Sequence, residues 1–92
     1  AHRAEPYGIR AESVDGNDPV LVWNAIHRAM RYCRRERKPF LLETMVSRLH
    51  GHSSSSGAQR VRGESDPLEA FEQKLLACSA IDPAGVKAMW DE

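Results

Sequence analysis

Between residues 22 and 33 the apolar positions Val22, Ile26, Ala29, Met30 and Cys33 recur at helical intervals, while Arg28, Arg31 and Arg35 fall on the opposite side. That period predicts an amphipathic helix lying on a neighbour by one face. Its start is signposted by Asp18-Pro19, a capping carboxylate followed by a proline suited to the first helical position. Its end is expected near Arg37, because Pro39 disfavours helical geometry in the residue before it. Ahead of this helix, residues 11–14 suit a short strand, and Asp15-Gly16-Asn17 is turn chemistry. Behind it, residues 40–46 form a nearly unbroken apolar run bounded by Pro39 and by a Ser/Gly-rich segment. Such a run predicts a strand buried on both faces, the habit of parallel sheets. Glu43 within it is a structural carboxylate whose partner the sequence does not name.

Strand, capped helix and buried strand together predict a right-handed βαβ unit over residues 11–46. Periodicity then stops. Residues 47–65 are polar and include Gly51, Gly57 and Gly63; a loop this long in a compact domain is usually functional or disordered. The Asp-Pro device returns at Asp66-Pro67, followed by Leu68, Phe71 and Leu75 at helical spacing, and at Asp82-Pro83, followed by Val86, Met89 and Trp90. Helices are therefore expected across 66–92, and no longer internal repeat is visible. Two strands cannot make an independent parallel sheet. The expected fold class is α/β, with 1–92 a single partial domain cut from a larger parallel-sheet structure.

Length agrees with that reading, because 92 residues allow one small domain with a marginal core. The sequence contains no apolar run of membrane-spanning length and no secretory-type apolar segment, so a cytoplasmic protein is expected. Cys33 and Cys78 each sit in an apolar-periodic segment and read as small buried hydrophobes, not a disulfide framework. The formal charge is zero but polarised: residues 1–62 carry 11 Lys/Arg against 6 Asp/Glu, and residues 63–92 carry 2 against 7. This asymmetry suits either an anionic ligand for the first part or a charge-complementary interface. Six cations lie between Arg28 and Lys38. With little aromatic interleaving and no net positive charge, they read as a solvated helix face and a dipole-complementing end, not a nucleic-acid footprint.

The candidate chemistry lies in "SRLHGHSSSSG", residues 47–57. In open α/β sheets ligands bind at the carboxyl ends of the strands, where this segment follows the second strand. Arg48 can clamp an anion bidentately, His50 and His52 can donate hydrogen bonds or exchange protons near neutrality, and Gly51 permits close backbone approach. A solvated serine-rich loop accounts for the same residues, and spacing alone does not separate the two. Zinc is disfavoured because the His-x-His pair has no closely spaced cysteine partners. A serine nucleophile is disfavoured because no Gly-x-Ser-x-Gly elbow or orienting acid is present.

Three stretches, "YGIRAESVDGNDPVLVWNAIHRAM", "KPFLLETMVSRLHGHSSSS" and "SDPLEAFEQKLL", in this order and separation, resemble the carboxyl-terminal part of the alpha subunit of thiamine-diphosphate-dependent 2-oxo acid dehydrogenases. The resemblance implies a fragment of a parallel-sheet thiamine-diphosphate-binding domain, with residues 47–65 as its active-site loop. It also implies oxidative decarboxylation of a 2-oxo acid, pyruvate or branched-chain, and reductive acylation of a lipoyl group. A beta subunit would complete the heterotetramer, and a lipoyl-bearing acyltransferase would accept the product; nucleic acid and membrane are not expected partners.

By the same resemblance, Arg48, His50, His52 and Ser53 lie beside the cofactor. Arg48 would neutralise phosphate charge or orient the loop, and His52 would bond the cofactor and assist lipoyl acylation. Ser53 aligns with a serine that is phosphorylated in mitochondrial members. The family's Gly-Asp-Gly magnesium motif is absent from these residues, and "VDGND" is a different segment. Magnesium ligands are therefore expected outside this chain, which is expected to be inactive alone. Ser47 replaces the usual tyrosine, residues 54–57 replace the usual acids, and Val61-Arg62 replaces a Tyr-Arg pair. The alternative from another class is a stand-alone, non-catalytic module that binds an anion or a protein through the same loop.

Overall fold

The computed structural model describes residues 1–51 and 59–92. The chain divides into two compact units, Ala1–Val46 and Ser47–Glu92.

In the first unit a short 3₁₀ helix, His2–Tyr7, precedes strand β1, Arg10–Asp15. Gly8, in the left-handed region at φ 64°, ends the 3₁₀ helix and turns the chain into the strand. Helix α1, Pro19–Glu36, crosses over to strand β2, Phe40–Met45, which pairs with β1 in parallel. The register sets Arg10 beside Phe40, Glu12 beside Leu42 and Asp15 beside Met45. Contacts of Glu12 with Arg28 and of Phe40 with Tyr32 show that α1 covers the face carrying Arg10, Glu12, Phe40 and Leu42. Ser13 and Glu43 point to the other face.

The second unit holds helix α2, Pro67–Ala77, and helix α3, Pro83–Asp91. All three α-helices among the described residues open on the Asp-Pro device. Asp18 accepts the amides of Val20 and Leu21 at 2.9 and 3.2 Å, Asp66 that of Leu68 at 2.9 Å, and Asp82 that of Gly85 at 2.7 Å. Each carboxylate satisfies an amide the helix leaves unpaired, and each proline occupies a position where its missing N–H costs nothing.

Burial departs from the sequence reading in four places. The α1 face centres on Ala25, fully buried, flanked by half-buried Val22, Ala29 and Cys33, while Ile26 and Met30 stay 44% and 42% exposed. A sheet of two strands, roughly 5 Å apart, is too narrow to cover the shoulder of the helix on which Ile26 and Met30 lie. For the same reason β2 is not buried on both faces: Phe40, Leu41 and Leu42 are half-buried, and Glu43, Thr44 and Met45 are exposed. Arg28, expected to point away from the sheet, reaches back to Glu12 on β1. Cys78 is exposed, its Sγ 3.4 Å from the Leu75 carbonyl, and only Cys33 is partly covered.

Among the described residues only Ala4 and Ala25 are fully buried. In the second unit, Leu68, Phe71, Leu75, Ile81, Met89 and Trp90 line an apolar groove of about 340 Å³ between α2 and α3. The Trp90 indole donates to Glu72 at 3.0 Å across it. No described helix is long and apolar enough to cross a membrane.

Candidate functional site

Parallel strands end together, and here both ends are tied. The amide of Gly16, the first residue beyond β1, donates to the Met45 carbonyl at 2.7 Å. Asp15 accepts the amide of Asn17 at 2.9 Å, closing the turn that delivers Asp18 to its capping position. The carboxyl end of β2 is thereby fixed against the start of the crossover, and the chain runs through Val46 into the candidate loop.

The loop has a hydrogen-bonded neck. The Val61 amide donates to the Leu49 carbonyl at 2.9 Å and the Gly51 amide to the Gln59 carbonyl at 3.2 Å, an antiparallel bridge that sets His50 opposite Arg60. Leu49 and Gly51 are half-buried, while Arg48, His50 and Arg60 are exposed. Among the described residues none of these three makes an ion pair with a carboxylate. A guanidinium fork and an imidazole are suited to bind an anion, although Arg60 also borders a concavity with Glu64, Asp66, Glu69 and Glu72.

Of the residues singled out in the sequence, Arg48 and His50 fall on the strand side of this neck. His52 and Ser53 lie outside the described residues. Arg60 was not anticipated. Its only signal is that Leu49-His50-Gly51 and Gln59-Arg60-Val61 carry an apolar residue at their outer ends, a pattern too short to stand out in a polar loop. Glu43 acquires a hydrogen-bond partner in the Ser13 side chain. Ser13 is the residue opposite Glu43 in the ladder. Among the described residues no three His, Cys, Asp or Glu side chains stand close enough to hold a metal ion.

Residues 1–92 match the family model of the dehydrogenase E1 component. The chain is 42% identical over 101 aligned residues to the mitochondrial 2-oxoisovalerate dehydrogenase subunit alpha of Homo sapiens, covering all of this chain and 21% of that protein. It is 34% identical to the 2-oxoisovalerate dehydrogenase subunit alpha of Bacillus subtilis (strain 168), with 98% of this chain and 30% of that protein covered. The pyruvate dehydrogenase E1 component subunit alpha of Rhizobium meliloti (strain 1021) is also 34% identical, over 82% of this chain and 24% of its own length. The chain thus spans less than a third of these three relatives. No solved structure matches it.

Proposed function

Because this chain belongs to the dehydrogenase E1 component family, we propose that it is the carboxyl-terminal part of an alpha subunit, or of the alpha portion of a fused chain, in a 2-oxo acid dehydrogenase. The reaction is the thiamine-diphosphate-dependent oxidative decarboxylation of a 2-oxo acid, pyruvate or branched-chain, with transfer of the acyl unit to a lipoyl group. A beta subunit and a lipoyl-bearing acyltransferase are its partners. The observation that carries this reading is the exposed Arg48 and His50, free of carboxylate partners among the described residues, on a necked loop directly after a parallel strand.

The donors present fit the diphosphate of the cofactor. Arg48 supplies a charge-assisted fork for phosphate oxygens, and His50 a second donor. The neck holds the backbone of residues 49–51 against 59–61, so these side chains start from a fixed base instead of a free coil. Thiamine diphosphate, when bound, supplies the thiazolium carbon on which the 2-oxo acid loses carbon dioxide. His52 is assigned the proton and hydrogen-bond work at the lipoyl transfer, an assignment that rests on the resemblance of "RLHGHS" alone. The described residues hold no group of three His, Cys, Asp or Glu side chains for magnesium, whose ligands this reading assigns to residues outside this chain.

The open surface supports a role inside a larger assembly. Along α1, Val20, Leu21, Trp23, Ile26 and Met30 all stay more than 40% exposed, and apolar surface concentrated on one element in this way marks an interaction site.

The test is a lipoyl-dependent assay of the native alpha and beta subunits with pyruvate and with 3-methyl-2-oxobutanoate. Reductive acylation of a lipoyl domain by one of them, lost by most of its rate in His52→Ala, is expected. Absence of acylation with both substrates, or full turnover in His52→Ala, would overturn the reaction or the residue respectively.

A further inference from the structure

The six cations from Arg28 to Lys38 face a single carboxylate, Glu36, within that run. On an isolated helix they would be a solvated face, each long side chain independent of the next. The fold gathers several of them instead. The crossover returns the carboxyl-terminal half of α1 to the amino ends of both strands, where Arg10 opens β1 beside Phe40. The Arg10 guanidinium lies over the Tyr32 ring, 5.1 Å from its centre, and Tyr32 meets Phe40 edge-on at 5.6 Å. Arg28 is held by Glu12 on β1. With Arg31, Arg34 and Arg35 these residues bound one concavity of about 690 Å³.

Five arginines and one glutamate line it, an excess of four positive charges (5 − 1 = 4). Glu12 is occupied by Arg28 and Arg35 is paired with Glu36, whereas Arg10, Arg31 and Arg34 make no ion pair among the described residues. Guanidinium groups converging in this way repel one another, and the two carboxylates, Glu12 and Glu36, offset only part of that repulsion. A multiply charged anion would relieve them and use their forks bidentately. The concavity has the size of a small-molecule site, roughly 300–1,000 Å³, and is bounded by two aromatic rings. That shape suits a compact ligand better than an extended acidic peptide.

We infer that this cavity binds a compact anion carrying two or more phosphate groups, at the end of the sheet opposite to the one where β2 runs into the loop. This inference does not rest on the proposed function.

Isothermal titration of the native enzyme with sodium tripolyphosphate, in magnesium-free buffer at low ionic strength, tests the inference. Saturable binding is expected, weakened at least about tenfold in the double variant Arg31→Ala/Arg34→Ala, which removes two charge-assisted contacts. Both side chains are exposed, so the variant should fold, and an unchanged circular dichroism spectrum checks that it does. Repeating the titration with ATP separates the sources of the phosphate: equal affinity assigns a free polyphosphate and tighter binding a nucleotide, and either upholds the site. No saturable tripolyphosphate binding, or binding that the double variant leaves unchanged, overturns it. Uptake of a polyglutamate peptide without uptake of tripolyphosphate also overturns it and makes the face a contact for an acidic protein.

Discussion

Gly16 lies directly against Val46. A Cβ at Gly16 would come within 2.5 Å of the Val46 Cγ1 and 3.0 Å of the Met45 carbonyl oxygen, the same oxygen its amide already holds. The glycine is required by this close approach, since its backbone lies outside the left-handed region. Gly16→Ala must push the end of β2 away from the turn and is expected to destabilise the fold by about 1–3 kcal/mol, the cost of overpacking. Chemical denaturation checks this. A change below about 0.5 kcal/mol, the range of ordinary surface substitutions, would mean that the turn and the strand end can separate freely.

The aspartate caps allow a graded expectation. Replacing Asp18, Asp66 or Asp82 with alanine should each cost about 1 kcal/mol, and Asn at the same position should retain most of it. Asp18 accepts two amides where Asp66 and Asp82 each accept one, so Asp18→Ala is expected to be the most costly of the three. Helicity by circular dichroism and the denaturation midpoint measure the order. Equal, negligible effects would show that packing and not capping fixes where these helices begin.

Those caps were also the most legible part of the fold. Asp-Pro states its consequence locally: the carboxylate reaches an amide two or three residues on, and the proline excludes the alternatives. The parallel pairing of β1 with β2 was legible too, through the apolar run at Phe40 and the helix between the strands. Burial was not, because it depends on how many neighbours exist. Ile26, Met30 and Met45 carry the signature of a core, and only a wider sheet or a partner would cover them. The loop was harder still. Arg48 and His50 stood out by chemistry, but the bridge from His50 to Arg60 spans ten residues with no period to announce it. The convergence of Arg10 with Arg31 and Arg34 depends on the crossover, which linear spacing does not display.

Acid should loosen the contact between α1 and β1. The hydrogen bond from Arg28, above all, holds the Glu12 carboxyl below the usual carboxylate range, with the charges of Arg28 and Arg10 adding to it. A carboxylate whose folded value is depressed stabilises the fold fully above its unfolded value, about 4.3 for glutamate, and loses that contribution as pH falls through the folded value. Both partners are partly exposed, at 32% for Glu12 and 50% for Arg28, so the effect is screened and should shrink in salt. Denaturation midpoints taken from pH 6 down to about pH 3 should fall less steeply in Glu12→Gln than in the native sequence. Parallel curves would show that this ion pair contributes nothing to folding.

Arg48 offers the sharpest test of the proposed cofactor site, because stability and function should part company there. Its side chain is exposed and has no carboxylate partner among the described residues, so Arg48→Ala should leave the unfolding free energy within about 0.5 kcal/mol of the native value. If its guanidinium meets the diphosphate, the variant loses a charge-assisted contact of roughly 1.5–3 kcal/mol. That corresponds to a cofactor requirement raised by about ten- to a hundredfold. Arg48→Lys keeps the charge but not the planar fork and should recover part of the loss. Activity of the native enzyme titrated with thiamine diphosphate at fixed magnesium measures all three. An unchanged cofactor requirement in Arg48→Ala would remove this residue from the site, and a recovery by lysine equal to the native enzyme would show that charge alone, without the bidentate geometry, is what the loop supplies.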